Sequence, residues 1–260
     1  MLGMAGAGVG GVAGATLRRP RLRITRHRVG PRRRRGRPAR LVHLTDLHVG
    51  RATPLPLLRQ AVQRARDLRP DLVVLTGDYL NHSLVYLPLL RRLLSRLPRP
   101  CVATLGNHDH WSGADPITRA LEEQGIEVLR NGSTMVRCRA GRVLEVVGVD
   151  DGRTRHDEAA RSMRGVRDPL RAIVLTHYPR TADAVERHGG RLVLTGHTHG
   201  GQIHVPVVTR ALSRLGGHRY IAGWYRVGRA RLYVNAGIGA SVIGLRVGRR
   251  AAPEVALLEV

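Results

Sequence analysis

Short aliphatic runs recur along the chain from about residue 41, and each one ends in a cluster of polar residues. The runs have the length and the β-branched content that are typical of buried strands. Five such clusters follow them, and in chain order these are Thr45 to His48, Thr76 to Asp78, Gly106 to Asp109, Thr176 with His177, and Thr195 to His199. The pattern predicts a sheet of buried strands with polar residues at the same end of each strand.

Amphipathic stretches with helical periodicity separate these runs, at residues 56–68, 85–97, 115–125 and 182–188. The third stretch is the best delimited, because Asp115 suits an N-cap, Pro116 suits the first helical position and Gly125 suits the residue after the helix. Strands that alternate with helices predict crossover connections and a largely parallel sheet. Ligands of such sheets bind beyond the carboxyl ends of the strands, so we expect the five polar clusters to meet at one edge.

The remaining segments alternate between polar and apolar residues, which is typical of hairpins. One hairpin is predicted to turn at Ala140-Gly141 and another near Gly228-Arg229, while residues 252–260 close the chain as a further strand. We therefore predict that antiparallel strands from these three segments extend a second sheet.

Seven side chains in the polar clusters have the chemistry of metal ligands, namely Asp46, His48, Asp78, Asn107, His177, His197 and His199. Carboxylate, imidazole and amide donors without a thiolate favour borderline divalent ions such as Mn, Fe or Zn. Seven ligands are too many for one tetrahedral ion and suit two ions with open positions. Asp78, which has two oxygens and follows the flexible Gly77, is the predicted bridge. Two such ions can hold a hydroxide between them and clamp a phosphoryl group for in-line attack.

Two pairs of these residues share the same spacing, since Asp46 and His48 flank one residue and so do His197 and His199. On extended backbone, positions i and i+2 point to the same side, so each pair is predicted to hold one cation. Each residue taken alone would also suit a turn or a structural role. Their combination at five strand ends favours a metal centre.

His108 lies beside Asn107 and is not required as a ligand. It is predicted to donate a proton to the leaving oxygen or to stabilise charge on the phosphoryl oxygens. Asp109 is predicted to orient His108 through a hydrogen bond and to keep it protonated. These two residues are the predicted catalytic pair.

Composition adds two constraints. Hydrophobic residues make up 42% of the 260 residues, while aromatic residues make up 3% and phenylalanine is absent, so the core must be large and mainly aliphatic. Cys101 and Cys138 lack the spacing of a disulfide framework or of a thiolate zinc site. A reducing compartment fits this cysteine content, and an exported protein is compatible with it as well.

Positive charge is concentrated at the N-terminus. The net charge is +25, the chain contains no lysine, and twelve of its 44 arginines but no acidic residue lie within residues 1–40. We predict a basic arm over residues 1–40 and one folded domain over residues 41–260. The arm favours anionic partners, either a phospholipid surface or nucleic acid, and is equally compatible with a solvated tail.

Residues 1–17 are uncharged and rich in glycine and alanine. They fall short of the roughly 20 strongly apolar residues of a spanning helix. Arg18-Arg19 follow the apolar stretch, whereas an export signal carries its positive charge first. An anchor, a signal and a solvated tail all stay open, and a cytoplasmic or peripherally membrane-associated protein is favoured over an exported one.

The order DLH, GD, GNHD, TH and GHTH resembles the calcineurin-like metallophosphoesterase superfamily over roughly residues 40–245. The strings GHTHGGQI and GNHDHW resemble its YkuE-like bacterial branch. The resemblance implies an α/β fold, a four-layer α/β/β/α sandwich with two mixed β-sheets, and it implies that His108 is catalytic with Asp109 as its partner. It also implies two metal sites that share one carboxylate, with Asp46, His48, Asp78 and His199 for the first metal, and Asp78, Asn107, His177 and His197 for the second.

The expected activity is metal-dependent hydrolysis of a phosphomonoester or a phosphodiester. A lipid-linked substrate such as UDP-2,3-diacylglucosamine is a candidate, although the related branch that cleaves it commonly has arginine where this chain has His108. The alternative is a non-catalytic module that binds anionic lipid or nucleic acid, and the intact ligand set argues against it. A nuclease is less favoured because few aromatic residues are present to stack on bases. Trp111, Tyr79 and Gln202 suit either substrate contact or packing, and the oligomeric state stays open.

Overall fold

The computed structural model describes residues 21–29, 37–138, 141–201, 219–241 and 246–260. Twelve strands lie in these ranges: β1 (Arg23–Arg28), β2 (Arg40–Leu44), β3 (Leu72–Thr76), β4 (Cys101–Thr104), β5 (Glu127–Val128), β6 (Gly132–Arg137), β7 (Val143–Gly148), β8 (Ile173–Leu175), β9 (Leu192–Thr195), β10 (Gly223–Val227), β11 (Ala230–Val234) and β12 (Glu254–Glu259). Five α-helices accompany them: α1 (Leu55–Asp67), α2 (Leu87–Leu94), α3 (Asn107–Glu122), α4 (Ala159–Met163) and α5 (Thr181–Arg187). Strands and helices alternate from β2 to β4 and again from β7 to β9.

The twelve strands form two six-stranded mixed sheets, with the orders β1-β12-β2-β3-β4-β5 and β10-β11-β9-β8-β7-β6. The crossover helices join parallel neighbours, since β2, β3 and β4 are parallel and so are β7, β8 and β9. Antiparallel pairs, such as β12 with β2 and β10 with β11, complete the sheets. Because parallel strands share a direction, the polar clusters after β2, β3, β4, β8 and β9 lie at the carboxyl-end edges of the two sheets.

Three apolar clusters separate four layers. Helices α1 to α3 cover the outer face of the first sheet through residues such as Leu58 and Leu90. The facing surfaces of the two sheets share a second cluster that includes Leu41 and Ile173. Helices α4 and α5 cover the far face of the second sheet, where Val185 is buried. The predicted four-layer α/β/β/α sandwich with two mixed sheets is confirmed.

Helix α3 spans Asn107–Glu122, but its backbone is not helical at Gly113, so it consists of two helical segments. The second segment corresponds to the predicted helix, although Asp115 lies inside it and is not its N-cap. Gly113 adopts a φ of 127° and produces a kink, after which the helix continues to Glu122. The first turns carry the polar residues of the functional cluster, which hide the apolar periodicity until Ile117. Helix α4 was not predicted, because a helix of five residues is too short to establish a period.

Strand β12 lies inside the first sheet, between β1 and β2, so the prediction that this segment extends the second sheet is wrong. Val255 and Leu257 pack in the helix-facing cluster, while Ala256 and Leu258 pack between the sheets. Both faces of the strand are therefore buried, and an interior strand of this kind carries no reliable alternation. The hairpins β6–β7 and β10–β11 are antiparallel as predicted, and Ala140 of the first turn lies outside the described residues.

Strand β1 falls within the segment that was assigned to the basic arm, and it pairs in parallel with β12 along its whole length. Thr25 and His27 face the second sheet, where both contact the hydroxyl of Tyr233, while Arg26 is exposed. The folded part of the chain thus includes residues before 41, because β1 pairs with β12 at six positions and its inward-facing Thr25 and His27 find hydrogen-bond partners. The rest of the arm, residues 1–20 and 30–36, lies outside the described residues. Among the helices that are described, none has the length and apolar character to cross a membrane.

Candidate metal centre

The first group of predicted donors meets at the edge formed by β2, β3 and β9. One ligand atom from each of Asp46, His48, Asp78 and His199 lies within 4.8 Å of the others, and all four residues are buried. Nε2 of His199 is 3.3 Å from Oδ1 of Asp46 and 3.1 Å from Nε2 of His48. Donor atoms this close together can all reach one cation at ordinary ligand distances.

The second group lies on the other side of Asp78. Oδ2 of Asp78 is 3.2 Å from Nε2 of His177 and 3.4 Å from Nε2 of His48, so this carboxylate lies between the two groups. Nδ1 of His197 is 3.3 Å from Nε2 of His177 and 2.9 Å from Oδ1 of Asn107. The structure therefore brings all seven predicted donors together, from five strand ends and both sheets.

Left-handed backbone, rather than extended backbone, turns these side chains toward each other. Among the described residues, eight non-glycine residues have positive φ, and five of them are predicted donors: Asp46, His48, Asp78, His197 and His199. The prediction of extended backbone at the i and i+2 pairs is thus wrong, because both pairs lie in loops after the strands. His197 and His199 also do not act on one cation as predicted, because His199 lies with Asp46 and His197 lies with Asn107. A left-handed non-glycine residue costs of order 1 kcal/mol or more, and such strain is common at functional sites.

Two glycines leave the space that the donors occupy. A Cβ atom on Gly106 would overlap Oδ1 of Asp78, and a Cβ atom on Gly196 would overlap Oδ2 of Asp46. Both approaches would be far inside van der Waals contact. The two carboxylates can therefore adopt these positions only because the neighbouring loops carry no side chain at these points.

The donor set fits a cation. Nδ1 of His177 donates to the carbonyl oxygen of Thr76 at 2.7 Å, so Nε2 presents a lone pair to the carboxylate of Asp78. Two acceptors this close require either a proton or a cation between them. Burial opposes a charge on this imidazole, yet the negative charge of Asp78 raises the pKa of His177 well above its usual value. A proton is thus held where a metal ion would bind, and binding of the ion would release it.

The other buried groups fit the same interpretation. Burial raises the pKa of Asp46. Burial lowers the pKa of His48 to about 3, and burial together with the positive charge of Arg246 lowers the pKa of His199 to about 3. Although burial alone would raise it, the charge and hydrogen bond of His177 hold the pKa of Asp78 below its usual range. Neutral imidazoles beside buried carboxylates are suited to a divalent cation, which offsets the cost of burying negative charge.

His108 borders the first group of donors. Its backbone N–H donates to Oδ1 of Asp78 at 2.9 Å, and its Nδ1 donates to the carbonyl oxygen of Asn81 at 2.6 Å. The imidazole rings of His108 and His48 are 4.7 Å apart. Because Nδ1 is engaged with a carbonyl, Nε2 is the nitrogen that is left for a substrate.

Asp109 does not orient His108 as predicted. Its carboxylate accepts hydrogen bonds from the backbone N–H groups of Gly106, Asp78 and Tyr79 at 2.8, 2.8 and 2.9 Å. Asp109 is the third residue of α3, and a carboxylate there reaches back to the N-cap, whereas adjacent helical residues do not face each other. Burial and the nearby charge of Asp78 raise the pKa of Asp109 to about 7. Its contacts hold the two loops that carry Asp78 and Asn107.

Comparison with known proteins identifies the family. A family model described as calcineurin-like phosphoesterase matches residues 39–201, a range that holds all seven donors and His108. The chain belongs to the calcineurin-like phosphoesterase family. This family assignment confirms the predicted superfamily, and the donor cluster accords with divalent cations as cofactors.

Several relatives of this calcineurin-like phosphoesterase support the YkuE-like branch. Phosphodiesterase YaeI of Escherichia coli K12 is 33% identical over 245 residues, which cover 91% of this chain and 87% of that protein. The uncharacterized metallophosphoesterase YkuE of Bacillus subtilis 168 is 30% identical, over 80% of this chain and 74% of that protein. The UDP-2,3-diacylglucosamine pyrophosphatase LpxG of Chlamydia trachomatis is 25% identical, over 77% of this chain and 78% of that protein.

A solved structure supports the fold. The 5'-nucleotidase precursor from Thermus thermophilus superposes with a TM-score of 0.54 at 16% identity, over 85% of this chain. This chain spans about half of that longer protein, at 54% of its length. Family, fold and donor cluster together establish a metal-dependent phosphoester hydrolase.

The loop after β11, which the sequence does not single out, supports the loop that carries Asp46. The loop follows β11, and its Ile238 and Gly239 donate backbone hydrogen bonds to the carbonyl oxygens of Thr45 and Asp46 at 3.1 and 2.6 Å. The signal was present, because an aliphatic run ends there in Asn235, as at the other five strand ends. The hairpin pattern of this segment hides the strand end, because it accounts for the same residues without a functional role.

The end of strand β7, which the sequence also does not single out, contacts the start of helix α3 through Asp150. Asp150 follows β7, accepts from Nε of Arg130 at 3.0 Å and lies 2.7 Å from Nε2 of His110. Because His110 belongs to the first turn of α3, this contact fixes the helix start that carries Asn107 and His108. Its signal was an aliphatic run that ends in an acidic pair, Asp150 and Asp151.

Of the three residues that suited either substrate contact or packing, Tyr79 is buried and donates from its hydroxyl to the carbonyl oxygen of Thr104 at 2.8 Å, which is a packing role. Gln202 lies outside the described residues. Trp111 is exposed, and its ring centroid lies 5.0 Å from that of His108.

Arg246 is a further residue that the sequence does not single out, and it lies next to the predicted metal ligand His199. Its buried guanidinium donates to the carbonyl oxygens of Gly239, Ala236 and Ala251 at 2.8, 2.8 and 3.1 Å. Nδ1 of His199, on the side of the ring that faces away from the other ligands, donates to the same carbonyl oxygen of Gly239 at 3.1 Å. Arg246 thus ties the loop after β11 to the residues before β12 and holds the carbonyl group that accepts from His199. Nothing in its arginine-rich surroundings distinguishes it in the sequence.

Arg246→Met is expected to weaken metal binding by about 10- to 100-fold, because outer contacts of a ligand contribute to affinity on this scale. The measurement is Mn²⁺ affinity, by competition with a chelator. Arg99→Met is the matched control, since Arg99 also donates to backbone carbonyls, at Gln124 and Leu97, away from the centre. Equal losses of affinity in the two variants would show a general effect on folding instead of support for His199.

Proposed function

We propose that the protein hydrolyses a phosphomonoester or a phosphodiester at a centre of two divalent cations, Mn, Fe or Zn. The observation that carries this proposal is the position of Asp78, whose Oδ2 lies 3.4 Å from His48 and 3.2 Å from His177. Cations bound on both sides of it would supply charge to hold phosphoryl oxygens and would acidify a water molecule for in-line attack.

The distances support a division of the donors into two sites that share one carboxylate. The first site takes the four side chains whose ligand atoms lie within 4.8 Å of one another. The second takes those that surround Nε2 of His177 and Nδ1 of His197. The proposed ligands are Asp46, His48, Asp78 and His199 for the first cation, and Asp78, Asn107, His177 and His197 for the second.

In this proposal His108 acts on the leaving group. Its contacts with Asp78 and Asn81 hold the imidazole beside the first site, and Nδ1 already donates to a carbonyl oxygen. Nε2 is then the atom from which a proton passes to the leaving oxygen as the P–O bond breaks. Asp109 contributes indirectly, because it holds the backbone of the loops on which Asp78 and His108 lie.

The substrate class is suggested by the relatives. One of them is named a phosphodiesterase and another a UDP-2,3-diacylglucosamine pyrophosphatase. We therefore keep a phosphodiester and a lipid-linked nucleotide such as UDP-2,3-diacylglucosamine as the leading candidates. The arginine-rich arm, most of which lies outside the described residues, is proposed to favour an anionic membrane surface. The proposed location is accordingly the cytoplasm or the membrane periphery, with export as the alternative.

The test is metal add-back to apoprotein. Chelated protein receives Mn²⁺, Fe²⁺ or Zn²⁺ singly and is assayed on bis-p-nitrophenyl phosphate, p-nitrophenyl phosphate and UDP-2,3-diacylglucosamine. We expect no turnover without metal and restored turnover at about two ions per chain. Metal-loaded protein that is inert on all three esters, yet binds anionic vesicles or DNA, would overturn the proposal and favour a non-catalytic module.

A further inference from the structure

Exposed apolar side chains lie on α3 near His108 and on the short turn that packs against this helix. Trp111 is 60% exposed, Val85 is 73% exposed and Leu84 is 36% exposed. A tryptophan that is mainly required for packing would be largely buried. These three residues, which we call the apolar rim, therefore leave apolar surface exposed to solvent.

The apolar rim is continuous with His108. The ring centroids of Trp111 and His108 are 5.0 Å apart in an edge-to-face arrangement, and His108 in turn lies 4.7 Å from the ligand His48. A line of three rings thus leads from the donors to the surface. The indole of Trp111 is therefore the apolar side chain next to the imidazole of His108 on the side away from His48.

Local structure explains why the other two residues join this surface. Residues Leu84–Tyr86 form a short 3₁₀ turn, which Ser83 caps by accepting a hydrogen bond from the backbone N–H of Val85. The turn packs against α3, the helix that carries Trp111. A Cβ atom on Gly113, at the kink of α3, would lie 3.5 Å from Cδ1 of Leu84. The two elements that carry the apolar rim are therefore neighbours, with Leu84 next to the kink of α3.

We propose that the apolar rim is the subsite for the leaving group, and that the substrate is a phosphoester whose leaving alcohol carries an apolar group, either an alkyl chain or an aromatic ring. This inference rests on the proposed role of His108, because the oxygen that receives its proton belongs to the leaving group. The leaving group must then extend along Trp111. Contact with an indole face and two aliphatic side chains favours an apolar group over a small polar alcohol.

The test uses mixed diesters that compete within one molecule. Octyl methyl phosphate releases either octanol and methyl phosphate or methanol and octyl phosphate, and benzyl methyl phosphate offers the aromatic equivalent. Mass spectrometry of the two phosphate products gives the ratio of cleavages. This ratio does not depend on the amount of folded or metal-loaded enzyme. Substrates are used at concentrations where they are monomeric, so that binding to a bilayer does not contribute.

We expect wild-type protein to release the apolar alcohol over methanol by about tenfold or more, since burying part of a chain or ring contributes about 1.5 kcal/mol. Trp111→Ala should shift the ratio toward unity by about tenfold. The octyl and benzyl arms distinguish a subsite for chains from one for rings. Leu170→Ala and Val143→Ala are matched controls, because these side chains are 66% and 47% exposed but lie at the amino ends of β8 and β7, away from the centre.

An unchanged ratio in Trp111→Ala, or an equal shift in the two controls, would overturn the subsite while leaving the proposed hydrolase intact. Absence of turnover on every ester with metal present would instead overturn the proposed function and this inference with it. If the protein cleaves only monoesters, kcat/KM for octyl phosphate relative to ethyl phosphate, in wild-type and Trp111→Ala protein, measures the same preference.

Discussion

Asp78→Ala is expected to lower phosphoester hydrolysis by about 10³-fold or more and to reduce bound metal from two ions to at most one per chain. The reason is the position of this carboxylate between the two donor groups, 3.4 Å from His48 and 3.2 Å from His177. Loss of several kcal/mol of charge stabilisation at the reacting phosphoryl group corresponds to a rate loss of this size. Metal content by mass spectrometry and kcat with saturating Mn²⁺ are the measurements.

Asp71→Ala is the matched control for this variant. Asp71 is also a buried carboxylate and lies at the opposite end of the same strand, where it accepts from Arg37 and from the backbone of Arg40 at 2.7 and 2.9 Å. We expect it to lower the free energy of unfolding without loss of metal. Full activity and full metal content in Asp78→Ala would refute the bridging role.

His108→Ala is expected to lower kcat by about 10²-fold while both metal ions remain bound, which is the usual contribution of a positioned acid. The backbone N–H of residue 108, which donates to Asp78, is retained in this variant, so the donor cluster should be preserved. The loss should be larger for esters of alkyl alcohols than for p-nitrophenyl esters, because p-nitrophenolate needs little protonation as it leaves. The dependence of kcat on the leaving group is the measurement that separates this role from a structural one.

His82→Ala is the control for His108. The rings of His82 and His48 both lie 4.7 Å from the ring of His108, but His82 is exposed to solvent whereas His48 is a buried predicted ligand. His82→Ala should leave kcat nearly unchanged. A loss of metal from His108→Ala that matches its loss of kcat would mean that His108 supports the donors and does not act as the acid.

The corrections to the predicted fold have a common cause. The sequence predicts that strand β12 extends the second sheet, yet it lies inside the first sheet. The reason is that both of its faces are buried there, with Val255 packed toward the helices and Ala256 toward the second sheet. Strand β1 reads as part of a charged arm, yet it pairs with β12. In both cases the partner lies far away in sequence, and local composition does not report it.

In the candidate site, too, local sequence predicts some features, while others depend on segments that are distant in the chain. The identity and order of its seven donors are evident from aliphatic runs that end in polar residues, because parallel strands must deliver their carboxyl ends to a common edge. The partner of Asp109 could not be predicted, since it depended on where α3 begins. Arg246 could not be predicted either, since it is one of several arginines in its segment and shares the carbonyl acceptor of His199 only in the folded chain.

By itself the sequence determined the layered α/β architecture, the donor types and the class of chemistry, because strand and helix periods and side-chain chemistry are local properties. Only the tertiary structure decided the left-handed loops that aim Asp46 and His48, the glycine contacts that leave room for the carboxylates, and the exposure of Trp111 beside His108. These features arise where segments distant in the chain compete for the same space, and that competition is resolved only when the two sheets pack together.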